Sequence, residues 1–130
     1  MYIQYLDKDQ RQALVILTYY VMVADHKVTA EEEALIDALE HELGIEPVHP
    51  GEMLVEPAFT LFRDRRSKMA LMLKLSAVAH VDRQFHPSER AMLESCGERL
   101  GLSAEDVQEV IKWGRLHAEL VTRAQHLVDG

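Results

Sequence analysis

The chain has 130 residues, 48% hydrophobic and 28% charged, which fits one globular domain able to bury a core without staples. Its net charge is −8, from 22 acidic against 14 basic side chains, and that field disfavours general nucleic-acid binding. The single cysteine, Cys96, excludes an internal disulfide and fits a reducing compartment. The start, MYIQYLDKDQ, lacks the basic region, apolar core and cleavage site of a signal peptide. The longest apolar run, Ala13 to Ala24 broken only by Thr18, is about half of the ~20 residues a membrane span needs. The expectation is a cytoplasmic protein with no integral membrane segment.

In chain order, the punctuation predicts helices throughout. Asp9 and Gln12 have capping-box spacing, which places a first helix at roughly 10–25. Leu14, Leu17, Val21 and Ala24 form its stripe, widened by Val15, Ile16, Tyr19 and Tyr20, so burial on most sides follows. Thr29-Ala-Glu-Glu32 is a second capping box. The helix it opens turns Leu35, Ile36, Leu39 and Leu43 inward and stops at Gly44. Residues 46–57 hold three prolines and a glycine and read as a linker. A short helix near Pro57 to Arg63 follows, with Phe59 and Phe62 inward. Ser67 is a candidate cap for a helix over 68–81 carrying Met69, Leu71, Met72, Leu75, Val78 and Ala79. Pro87 suits the first position of the next helix. Met92, Leu93, Cys96 and Leu100 face inward there, and Gly101 ends it. Ser103 to Asp106 opens a last helix reaching about Val128, with Val107, Val110, Ile111, Leu116, Leu120, Val121 and Leu127 along it. Gly114 weakens that helix by about 1 kcal/mol relative to Ala and marks a place where another helix packs close. No segment sustains period-two alternation, so the fold class is all-α, with about six or seven helices in one domain over 1–130.

Two segments repeat each other 57 residues apart, 23–45 and 80–102. Asp25/Asp82, Glu32/Glu89, Ala34/Ala91, Leu43/Leu100 and Gly44/Gly101 are identical pairs. Val28/Phe85, Leu35/Met92 and Ile36/Leu93 match in character. The pattern implies two pseudo-symmetric helix–turn–helix units, at about 10–45 and 67–102.

Each unit places an Asp where one helix ends and a Glu seven positions on. Both carboxylates suit turn and helix-cap N–H groups, which alone accounts for them. The same spacing coincides with positions 5, 8 and 12 of an EF-hand loop. Positions 1 and 3 carry Val21 and Val23 in one copy and Val78 and His80 in the other, and His26 and Arg83 replace the turn glycine. Neither loop supplies the six to eight oxygens calcium takes. If the two loops meet, Asp25, Glu32, Asp82 and Glu89 make a four-carboxylate candidate for one divalent ion. His26, His80 and His86 are then candidate nitrogen ligands for zinc or nickel.

Ala24-Asp25-His26-Lys27-Val28-Thr29-Ala30-Glu31-Glu32, closed by Leu43-Gly44-Ile45, resembles the tellurite-resistance TerB-like family, with its recurring A-D-G-x-Φ-x-x-x-E step. Val81 to Glu89, closed by Leu100-Gly101-Leu102, is similar to the same motif. The resemblance spans about Leu14 to Trp113, and the motif glycine is absent from both copies. It implies a compact helical domain with two related halves, found in bacteria. It also implies a role in stress responses to tellurite and other toxic agents, with divalent metal held by the acidic residues. A related domain in a membrane-anchored DnaJ-type co-chaperone implies an interaction module.

The sequence holds no H-E-x-x-H, paired C-x-x-C, G-x-S-x-G or Walker loop, so no catalytic residue or small-molecule substrate is expected. The leading expectation is a non-enzymatic stress-response protein with a metal site in the acidic turns. The alternative is a protein–protein adaptor or homodimer whose acidic turns are structural. Trp113 and the N-terminal tyrosines are candidate interface anchors. The basic cluster Arg63, Arg65, Arg66 and Lys68 is a candidate contact for an acidic partner or, peripherally, an anionic lipid surface.

Overall fold

The repeat seen in the sequence is a repeat of structure. The computed structural model describes residues 2–22, 29–48, 55–80 and 87–130, and all its regular elements are helical. A 3₁₀ turn, Ile3–Tyr5, leads into α1 (Lys8–Met22), α2 (Ala30–Leu43), α3 (Val55–Phe59), α4 (Arg65–Ala79), α5 (Pro87–Arg99) and α6 (Ala104–Asp129). Lys8 and Arg65 open α1 and α4 at the repeat spacing, Met22 and Ala79 close them, and Ala30 and Pro87 open α2 and α5. Both second helices end the same way. Gly44 (φ 67°) and Gly101 (φ 73°) adopt the left-handed conformation, which glycine accepts without the Cβ clash other residues meet. In each, the glycine N–H and the next residue's N–H bond back into the last turn: Gly44 to His41 and Ile45 to Glu40, Gly101 to Glu98 and Leu102 to Gly97.

The repeat also extends further upstream than the sequence motif suggests. Asp7 Oδ1 accepts the Gln10 N–H at 2.8 Å, and Asp64 Oδ1 accepts the Ser67 N–H at 2.9 Å. These two aspartates, one repeat apart, open α1 and α4. The expected caps, Asp9 and Ser67, are instead residues inside the first turn. For α1, the Asp7 N–H also donates to Gln10 Oε1 at 2.9 Å, so the capping box is Asp7–Gln10 rather than Asp9–Gln12. Ser67 lies buried, its hydroxyl donating to the Asp64 carbonyl. The short helix α3 starts two residues earlier than expected and ends at Phe59, with Phe59 and Phe62 buried as anticipated.

The core sits where α1 and α4 meet the remaining helices. Equivalent positions serve it in both halves: Ala13 and Ala70, Leu14 and Leu71, Val15 and Met72, Ile36 and Leu93, Leu43 and Leu100 are all buried. The α1 stripe is buried on most sides, and Thr18 within it satisfies its hydroxyl on the Leu14 carbonyl at 2.8 Å. Arg11 ties three segments with one guanidinium. It donates to the Ile3, Leu6 and Leu43 carbonyls at 3.0, 3.0 and 2.8 Å. The last of these places a cation at the C-terminal end of α2, where it suits the helix dipole.

α6 packs chiefly against α4. Ser76 Oγ donates to the Val110 carbonyl at 2.9 Å, and the His80 Nδ1–H donates to the Ser76 carbonyl at 2.8 Å. Gly114 lies over this pair. A Cβ there would stand inside contact distance of Ser76 Oγ, 2.7 Å from His80 Nδ1 and 3.0 Å from the Ser76 carbonyl. Arg65 and Asp106 fasten the far end with two bonds at 2.8 and 3.2 Å. An exposed Gly114→Ala would gain about 1 kcal/mol of helix propensity. Here crowding by the hydrogen-bonded Ser76 and His80 side chains and the Ser76 carbonyl outweighs that gain, and overpacking of this kind costs about 1–3 kcal/mol. Gly114→Ala is therefore expected to lower the urea midpoint, and an unchanged or raised midpoint would contradict the close approach.

Candidate functional site

The two acidic motifs span the segments between α1 and α2 and between α4 and α5 in the sequence. Asp25 and Asp82 lie outside the described residues, as do His26 and His86. Glu32 and Glu89 are described, and both stand at the third position of their helices, as the capping reading requires. The Thr29 hydroxyl accepts the Glu32 N–H at 3.1 Å, and Glu32 Oε1 accepts the Thr29 N–H at 3.0 Å. One Glu32 carboxylate oxygen is thereby used by the start of α2. Glu89 is buried in the first turn of α5, where a carboxylate meets the positive end of the dipole. His80 is also buried, with Nδ1 committed to the helix carbonyl below it. Among the described residues, no three His, Cys, Asp or Glu side chains gather as a metal-binding group.

Cys96 is fully buried in the core, and desolvation pushes its thiol from 9.0 up to about 12. The thiolate, the reactive form, is suppressed. This supports the reading of Cys96 as a small apolar core residue.

The most unusual surface is one that periodicity alone does not flag. The buried residues of α6 are Val107, Val110, Ile111 and Gly114, all in its first half. No residue from 115 to 130 is buried. Yet that half carries Leu116, Leu120, Val121, Leu127 and Val128, exposed by 44, 63, 53, 84 and 80%. Trp113, half-buried, begins the stripe and stacks on His117 with ring centroids 5.1 Å apart. Trp113, Leu120 and Leu127 recur every seventh residue, which is the spacing of a helix–helix seam. The amphipathic pattern is legible in the sequence. That these side chains stand exposed is legible only in the structure.

No protein-family model, curated protein or solved structure matches the chain. Among the described residues, no helix is long and apolar enough to cross a membrane.

Two outcomes follow for these groups. Thr29→Ala is expected to cost about 1 kcal/mol in urea unfolding through loss of the cap; no loss would leave the Thr29–Glu32 exchange without structural weight. Cys96 is expected to resist a thiol reagent at pH 8 until the protein is unfolded, and immediate native labelling would contradict its burial. Because its folded pKa is raised, its contribution to stability is complete below the unfolded value. That contribution is lost as pH rises from about 9 towards about 12.

Proposed function

We propose that this protein is a non-enzymatic interaction module of the TerB-like stress-response type, and that it self-associates through the distal half of α6. The observation that carries the reading is the uncovered apolar stripe from Leu116 to Val128. Isolated helices of this length are marginal in water, and exposed apolar patches of several hundred Å² mark interaction sites. The five exposed side chains present roughly 500 Å² per copy, so two copies bury about 1,000 Å², the lower bound for a specific interface.

A second copy of the chain can offer this stripe apolar side chains and one opposite-charge pair. In an antiparallel pairing centred on Thr122, Leu120 meets Ala124, Leu116 meets Val128 and Arg115 meets Asp129 of the other copy. The arrangement is two-fold symmetric, as most homodimers are. Light scattering is expected to give a dimer at micromolar concentration. Leu120→Glu with Leu127→Glu is expected to give a monomer with an unchanged thermal midpoint measured at low concentration. A wild-type monomer, or a dimer indifferent to these changes, would overturn the reading.

The acidic turns support a second reading, because both repeats keep a glutamate at the same helix position, Glu32 and Glu89, seven residues after Asp25 and Asp82. One divalent ion between the turns would use these four carboxylates. A saturable rise in the thermal midpoint of chelator-treated protein with one divalent ion, abolished by Asp25→Asn with Asp82→Asn, is the expected result. An equal rise in that variant, or none with any ion, would leave the four residues as caps.

A further inference from the structure

The N-terminal tyrosines and two members of the basic cluster, Arg65 and Arg66, far apart in the sequence, line one cleft of about 500 Å³. That volume falls in the ~300–1,000 Å³ range of small-molecule sites. The 3₁₀ turn supplies Tyr2 and Tyr5 as one wall, exposed by 45 and 44%. α4 supplies Met69 and Leu73, one turn apart, as an apolar floor, with Arg65 and Arg66 at its start. The two arginines differ in what they have left to offer. Arg65 is held bidentately by Asp106. Arg66 lies with its guanidinium carbon 4.8 Å from the centre of the Tyr5 ring, and its charge is felt by the Asp64 carboxylate without a close ion pair among the described residues. A cation over an aromatic ring uses no N–H group in a hydrogen bond, and a guanidinium can bind a carboxylate through two parallel N–H bonds.

The aromatic wall is also held in place. Arg11 binds the Ile3 and Leu6 carbonyls that flank Tyr5. Tyr2 adopts φ 59°, a conformation uncommon for residues with a side chain, and its carbonyl accepts the Tyr5 N–H at 3.2 Å.

We infer that this cleft binds a small apolar monocarboxylate, with its acyl or aryl body between Tyr2, Tyr5 and the Met69–Leu73 floor and its carboxylate on Arg66. The bulk charge of −8 repels anions, so recognition depends on the local guanidinium at a range salt does not screen. Neither the apolar floor nor the cation suffices alone. A neutral ligand lacks the charge-assisted bonds, and a bare anion lacks the burial.

The test is amide and tyrosine-ring NMR titration of the full chain with octanoate, octan-1-ol and acetate. Octanoate is expected to shift the signals of Tyr2, Tyr5, Met69 and Leu73 and to bind about tenfold more tightly than octanol, with acetate silent at the same concentration. Arg66→Gln is expected to bring octanoate down to the octanol affinity. Tyr2→Ala is expected to weaken both ligands, with an unchanged thermal midpoint as the fold check. Equal binding of octanoate and octanol by the wild type would overturn the inference. So would a preference for octanoate that survives Arg66→Gln, shifts centred away from the cleft, or no binding at millimolar concentration.

Discussion

The close approach of α4 and α6 at Gly114 is the constraint on which the rest of the arrangement depends. Ser76 bonds to the Val110 carbonyl, His80 bonds to the Ser76 carbonyl, and the glycine leaves room for both. These bonds are buried, and a buried polar group left unpaired costs about 1–3 kcal/mol, so the register between the helices is specified and not merely permitted. Gly114 is also the last buried residue of α6. The contact that anchors the helix therefore decides where it leaves the domain, and so which apolar residues stay uncovered.

Below that anchor, the two halves are built by one rule applied twice. An Asp cap opens the first helix of each half, an apolar face enters the shared core, and a left-handed glycine ends the second helix. The halves differ where they meet other elements. Arg11 of the first half gathers the 3₁₀ turn and the end of α2, and its counterpart in the second half is Lys68. The second half instead receives α6, through Ser76 and through Arg65 with Asp106. Repetition makes the core, and the departures from it make the exposed stripe of α6 and the cleft beside the 3₁₀ turn.

Much of this was legible in the sequence. Thr29, Pro87, Gly44, Gly101 and Ser103 mark element ends by local chemistry, which acts within a turn and needs no tertiary knowledge. Gly114 as a point of close packing was legible because glycine has little other reason to stand mid-helix. The first-helix cap was not. Asp7-x-x-Gln10 and Asp9-x-x-Gln12 have the same spacing, and the choice falls to longer-range contacts: Gln10 Nε2 also donates to the Leu61 carbonyl, and Arg11 reaches three carbonyls from the register that Asp7 sets. Asp64 and Ser67 pose the same ambiguity, and Ser67 goes inside because the core receives it there. The distal stripe of α6 was legible as amphipathic, but periodicity reports which residues share a face and not whether anything covers that face. For the candidate metal site, spacing nominates Asp25, Glu32, Asp82 and Glu89, while the described geometry assigns Glu32 a cap.

On this account α6 is a core helix as far as Gly114 and an association arm beyond it, and amide hydrogen exchange at several protein concentrations tests that division most directly. Amides of 104–114 should show protection that does not vary with concentration. Amides of 115–129 should exchange rapidly in dilute protein and gain protection as concentration rises, because helix uncovered by tertiary contacts frays unless a partner orders it. Uniform, concentration-independent protection along the whole of α6 would contradict the account, and so would an arm that stays unprotected at every concentration.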